Sequence, residues 1–141
     1  MNLNKFNSLV DLYFYQAKNQ NSQHNFLEWL NPNNKIKFTW GETSSNIYNL
    51  AVTIKKNIMD GDRCLLVSEN RPEWLISDIA IMLAGGITVP AYTTYTEKDY
   101  KYLIEDCQPS VIIVSNDEIH DKLKNIIQEK SFIKKINLLS Y

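Results

Sequence analysis

Three short, largely apolar runs, "RCLLVS", "ITVPAY" and "SVIIVS", alternate with stretches of helical length. Runs this short read as strands, and runs apolar throughout read as strands buried on both faces. The stretch 72–84 is apolar nearly all round, which predicts a buried helix. Between Thr96 and Cys107 the apolar residues Tyr100, Leu103, Ile104 and Cys107 fall at helical spacing, with Asp99 three residues after Thr96 as in a capped helix start. Strands separated by such helices build β-α-β units. These demand a parallel sheet, right-handed crossovers and helices on both faces. The chain is therefore expected to be α/β.

The flanking segments fit around this unit. Phe6, Leu9, Val10, Tyr13, Phe14 and Ala17 predict an amphipathic helix over 6–19. "FLEWL" and "KIKFTW", joined by the turn chemistry of "NPNN", predict a β-hairpin over 26–39. Thr39 and Glu42 fit a capping box, followed by the stripe Ile47, Leu50, Ala51, Ile54 and Ile58. Asp60-Gly61-Asp62 is expected to stop that helix, with Gly61 as its left-handed cap. Ser115 and Glu118 suggest another capping box before Ile119, Leu123, Ile126 and Ile127, and "KKINLLSY" reads as a last strand.

Composition excludes several function classes. Net charge is -1 and the lysines form no block, so nothing favours nucleic acid or an anionic membrane surface. No apolar run approaches the ~20 residues of a membrane span. Cys64 and Cys107 lie far apart without metal-ligand spacing and read as buried free thiols in a reducing cytoplasm; peripheral attachment to a membrane stays open. His24 and His120 are isolated and read as surface imidazoles. The four glycines, Gly41, Gly61, Gly85 and Gly86, cannot build a dinucleotide fingerprint or a Walker loop. No nucleophile elbow is present, and Glu69 alone after the first strand is too little to chelate a metal. The residues present no catalytic, cofactor-binding or metal-binding constellation.

"SENRPEW", Ser68 to Trp74, looks at first like a catalytic loop. Pro72 suits the first helical turn, Asn70 or Arg71 the cap, and Glu73 the positive end of the helix dipole. Trp74 begins the buried face. Arg71 is expected to pair with Glu69 or Glu73 or to reach another part of the missing domain; an exposed pair is worth about 0–1 kcal/mol. The stretch reads as a strand-to-helix corner.

"FTWGE", "DGDRCLLVSENRPEW", "AGGITVPAYTTYT" and "YLIEDCQPSVIIVSND", in that order, resemble the N-terminal part of the AMP-forming acyl-CoA synthetases, the adenylate-forming ligases, and among them the long-chain fatty acyl-CoA ligases. The resemblance covers roughly residues 6–139. It implies the N-terminal part of a large adenylation domain: a short hairpin, then β-α-β units on a parallel sheet. It also implies ATP, Mg²⁺ and CoA as the complete enzyme's cofactors and a fatty or related carboxylic acid as its substrate. In that family the phosphate loop, the Mg²⁺-binding segment and the C-terminal domain come later than anything matched here. The chain is accordingly expected to be an incomplete N-terminal portion of the domain, which would continue past Tyr141, with no ATP site and no activity of its own. The missing C-terminal remainder would be its partner. "WGETS" at Trp40–Ser44 only imitates the family's Mg²⁺-binding segment, with Ser44 where a glutamate belongs. In some relatives the segment after the third strand offers basic side chains to CoA phosphates. Lys122 and Lys124 are the candidates here, against the plainer reading of a solvated helix face.

The rival expectation is a non-catalytic binding or interaction module on the same fold, since fold alone does not fix function. A flavodoxin-like cofactor binder is a weaker third, with "SENRPEW" as its one candidate loop. Strand edges left at "KKINLLSY" predict a poorly soluble or marginally stable isolated chain; a sharp, reversible two-state melt of a monomer would contradict this.

Overall fold

The computed structural model describes residues 6–31, 34–128, 130–133 and 135–138. Helix α1 (Leu9–Lys18) begins at Ser8, whose Oγ accepts the Asp11 N–H, and Phe6 lies outside it against the Tyr15 ring. Strands β1 (Asn25–Asn31) and β2 (Asn34–Thr39) form the expected antiparallel hairpin, slipped by one irregularity between Asn25 and Leu27. Pro32 and Asn33 of the expected turn lie outside the described residues.

Thr39 and Glu42 close a full capping box at α2 (Trp40–Lys55). The Glu42 N–H donates to Thr39 Oγ1 at 3.1 Å, while Glu42 Oε2 accepts the Thr39 N–H at 2.8 Å. Such a cap contributes about 1 kcal/mol. Helix α2 stops earlier than its apolar stripe. It ends at Lys55, capped by Lys56 in ordinary helical geometry. Ile58 joins the core from beyond the helix. The expectation for Gly61 is thereby corrected. It does have a left-handed φ of 85°, but it serves a later turn, where its N–H donates to the Gly85 carbonyl at 2.8 Å.

The central layer is a four-stranded parallel sheet. It contains β3 (Arg63–Val67), β4 (Ile87–Ala91), β5 (Val111–Val114) and β6 (Lys135–Leu138), in the order β4-β3-β5-β6. The crossovers are α3 (Pro72–Leu83), α4 (Glu97–Cys107) and α5 (Asp117–Ile127). Period-two alternation sorts the strands' side chains into two cores. Cys64, Leu66, Val111 and Ile113 face a core with Tyr13, Ile47, Ile54 and Ile76; Leu65, Val67, Ile112 and Val114 face one with Tyr100, Ile104, Ile119 and Leu123. Helices α1, α2 and α3 thus cover one face, and α4 and α5 the other.

Two helix starts repay comparison. Thr96 and Asp99 form the capping box of α4 as expected. At α5 the cap is Asn116, not Ser115: Asn116 Oδ1 accepts the Ile119 N–H at 2.9 Å. Ser115 is excluded because its own N–H donates to the Val67 carbonyl at 3.0 Å, which keeps it in the ladder.

At the opposite end of the sheet, Gly85 turns the chain from α3 towards β4 with φ 87°. A Cβ there would collide with the Asp60 carboxylate, which is held by Lys55. We expect Gly85→Ala to lower stability by about 1–2 kcal/mol in a urea titration, chiefly from the left-handed backbone, because the Asp60 carboxylate ends an exposed side chain that can swing aside. Adding Asp60→Ala should therefore recover little of the loss.

Candidate functional site

In a doubly wound sheet the ligand crevice lies outside the carboxyl ends of two neighbouring strands whose following helices leave to opposite faces. Here those strands are β3 and β5: from β3 the chain crosses by α3 to β4 on one side of the sheet, and from β5 by α5 to β6 on the other, with the two helices on opposite faces. The loops at this point are Ser68–Arg71 and Ser115–Asn116. Ser68 and Ser115 are both buried. Asn116 Nδ2 donates to Glu69 Oε1 at 3.0 Å, joining the two loops. Beside them, between the ends of β3 and β4, lies a pocket of about 230 Å³ lined by Ser68, Asn70, Trp74, Pro90, Ala91 and Tyr92.

The corner "SENRPEW" is a strand-to-helix turn as expected, with Pro72 in the first turn of α3 and Arg71 at the cap position. Arg71 makes no side-chain capping bond. Its guanidinium instead grips Glu73 with two parallel hydrogen bonds, Nε to Oε2 at 2.8 Å and Nη2 to Oε1 at 2.9 Å. The pair is not the exposed one expected: the side chains are 17% and 1% accessible. Arg71 also lies over the Trp29 ring at 5.3 Å, tying the corner to the hairpin. Burial by itself pushes the Glu73 carboxyl up. The Arg71 hydrogen bonds, the residue's own N–H and the Arg71 charge outweigh it and hold the carboxyl below its ordinary 4.5. The buried face of α3 thus begins at Pro72 and Glu73, ahead of Trp74. Trp74 is half-buried and lines both the 230 Å³ pocket and a groove of about 260 Å³ against Leu27, Glu28 and Trp29 of the hairpin.

Tyr92 and Tyr95, whose positions the sequence did not reveal, gather around Tyr100. Ring centroids are 5.5 Å apart for Tyr92–Tyr95 and 5.8 Å for Tyr95–Tyr100, both edge-on. Tyr100 Oη donates to the Tyr92 carbonyl at 2.8 Å, so this buried ring pins the loop after β4. Burial, then Tyr95 and the charge of Glu69, push its phenol up to about 12. The legible signal was Tyr100's place in a helical stripe; the loop contacts had none.

Lys122 and Lys124 stand on the solvent side of α5. Lys122 pairs with Glu118 one turn away at 2.8 Å, and Lys124 is exposed. Cys64 is fully buried, and burial followed by the Asp62 charge raises its thiol to about 11. Cys107 is only partly buried, which corrects half of the expectation for the two thiols. Its carbonyl accepts Arg63 Nε at 2.7 Å. Among the described residues no three His, Cys, Asp or Glu side chains gather as a metal would require. "WGETS" is accounted for by its cap and by Gly41, whose N–H donates to the Ser22 carbonyl at 2.9 Å. A Cβ on Gly41 would sit 3.1 Å from that same oxygen.

The family model described as AMP-binding enzyme matches residues 14–140. The long-chain-fatty-acid–CoA ligase FadD15 of Mycobacterium tuberculosis is 31% identical over 80 residues, 56% of this chain and 13% of that protein. The long-chain-fatty-acid–CoA ligase of Bacillus subtilis is 35% identical over 78 residues, 55% of this chain and 14% of that protein. The chain therefore spans about one-seventh of the length of these relatives. Among solved structures, the anthranilate CoA ligase AuaEII in complex with anthranoyl-AMP superposes with a TM-score of 0.80 at 21% identity, over 92% of this chain and 24% of that one. The fatty acid AMP ligase from Legionella pneumophila gives 0.75 at 20%, over 94% and 23%. At such identities these likenesses concern the fold.

The Arg71–Glu73 pair yields a direct test. Arg71→Ala leaves a buried carboxylate without its partner and should cost about 3–5 kcal/mol in a denaturant titration. The double change Arg71→Met/Glu73→Leu should recover most of the loss. Because the folded Glu73 value is depressed, its stabilisation is complete above 4.5 and lost as pH falls through the folded value. Wild type and Glu73→Gln should therefore differ in stability at neutral pH and converge in acid.

Proposed function

The chain belongs to the AMP-binding enzyme family, and on that premise we propose that it is the N-terminal portion of an ATP-dependent, AMP-forming acyl-CoA ligase. The complete enzyme would activate a fatty or related carboxylic acid as its acyl-adenylate and pass the acyl group to CoA. The observation that carries this reading is the family match over residues 14–140. The long-chain-fatty-acid–CoA ligases among its relatives favour a fatty acid over other carboxylates.

The chemistry divides within such an enzyme. Mg²⁺, when bound with ATP, supplies charge neutralisation on the phosphates. Adenylation also needs hydrogen-bond donors aimed at those phosphates. Gly85 and Gly86 lead into a strand, so they do not present a helix N-terminus to a phosphate. We therefore assign the adenylation machinery to parts of the ligase that this chain does not span. The present segment supplies the shelf: a rigid sheet edge whose crevice between β3 and β5, with the adjoining Trp74–Tyr92 pocket, would face the rest of the catalytic domain. We place the enzyme in the cytoplasm. No helix among the described residues is long and apolar enough to cross a membrane.

A chimera tests the assignment. This chain is fused in place of the matching segment of one of the ligases it resembles. The product should form acyl-CoA from fatty acid, ATP and CoA, while the chain alone should give no ATP–pyrophosphate exchange. A chimera that folds, by its melting profile, yet makes neither acyl-adenylate nor acyl-CoA would sink the proposal, as would exchange by the chain alone.

A further inference from the structure

Beyond Val67 and Ser115 the two central backbones part, one entering α3 on the first face and the other α5 on the second. The last backbone bond before they separate is the Ser115 N–H to the Val67 carbonyl at 3.0 Å. One residue further out, Asn116 and Glu69 meet across the opening, although they lie 47 positions apart in sequence.

Asn116 uses its amide in full. Its Oδ1 accepts the Ile119 N–H at 2.9 Å and so caps α5. That fixes the opposite edge of the amide, and Nδ2 must face the other loop. There it donates to Glu69 Oε1 at 3.0 Å and to Ser115 Oγ at 3.3 Å. The carboxylate can only accept and the amide nitrogen can only donate, so the bond has one polarity. We propose that the Glu69–Asn116 hydrogen bond is a latch that holds the β3–α3 and β5–α5 loops together across the crevice. Asn116 serves as cap and latch at once, so the start of α5 and the closure of the crevice move as a unit. An occupant entering at this point must bridge the bond or displace it. The inference does not rest on the ligase reading, and its test uses no ligand or activity, so the two fail separately.

Asn116→Asp separates the latch from the cap. Aspartate caps a helix as well as asparagine, but it replaces the donor with a carboxylate facing Glu69. Native-state amide exchange on the full chain should quicken about tenfold at Ser115, whose N–H is the last bonded one before the two loops part, with the centres of β3 and β5 unchanged. Adding Glu69→Gln supplies a donor from the other side and reverses the bond's polarity, so protection should return. Glu69→Ala, which leaves the α5 cap untouched, should quicken exchange at Ser115 in the same way. Unchanged exchange at Ser115 in either single variant would overturn the latch. So would a folded Glu69→Gln/Asn116→Asp protein in which protection fails to return.

Discussion

Four consecutive residues, Cys64 to Val67, have no contact with water. A strand in that position must be covered on both faces, and the rest of the molecule follows from the cover. Period-two alternation sends Cys64 and Leu66 one way and Leu65 and Val67 the other. Right-handed crossovers then put α3 on the first face and α4 and α5 on the second. The chain's first half, with α1, α2 and the hairpin, completes the first layer. The crevice arises from the same constraint: two neighbouring strands send their helices to opposite faces, so their loops separate.

This logic explains what was legible in the sequence. Alternation and helical stripes are local patterns, and the strands and helices they predict are present. Caps were legible where two residues three apart satisfied each other, as Thr39 with Glu42 and Thr96 with Asp99. Local pattern misleads where a competing partner lies elsewhere in the fold. Ser115 looks like a cap, yet Val67 keeps it in the sheet, so the cap moves one residue on to Asn116. Gly61 looks like a helix stop, but α2 has already ended at Lys55 and the left-handed glycine serves a turn against Gly85.

The largest misreading concerned Arg71. An Arg two residues before a Glu at a helix start looks like a surface pair, and surface pairs are weak. Burial is not written in those residues. It comes from the hairpin, whose Trp29 lies beneath the guanidinium and helps close the corner. The same packing places Trp74 and Asn70 between two grooves, one towards the hairpin and one at the sheet edge. The corner that marks the family in sequence is thus a structural joint between three elements: Arg71 and Glu73 hold one another, and Glu69 holds Asn116.

The edge strand β4 shows how one residue tempers an exposed sheet. The Ile87 N–H donates to the Asp62 carbonyl at 2.9 Å, so Ile87 turns its backbone groups towards β3. In a parallel ladder the facing groups alternate, so Val89 and Ala91 also turn inwards, and Thr88 and Pro90 turn outwards. Proline has no N–H to offer. The outer edge of β4 therefore lacks a donor midway along its length, and a strand arriving there finds the ladder interrupted. Proline at this register is a recognised means of blunting an edge. Pro90 thus interrupts the outer edge of a short apolar strand.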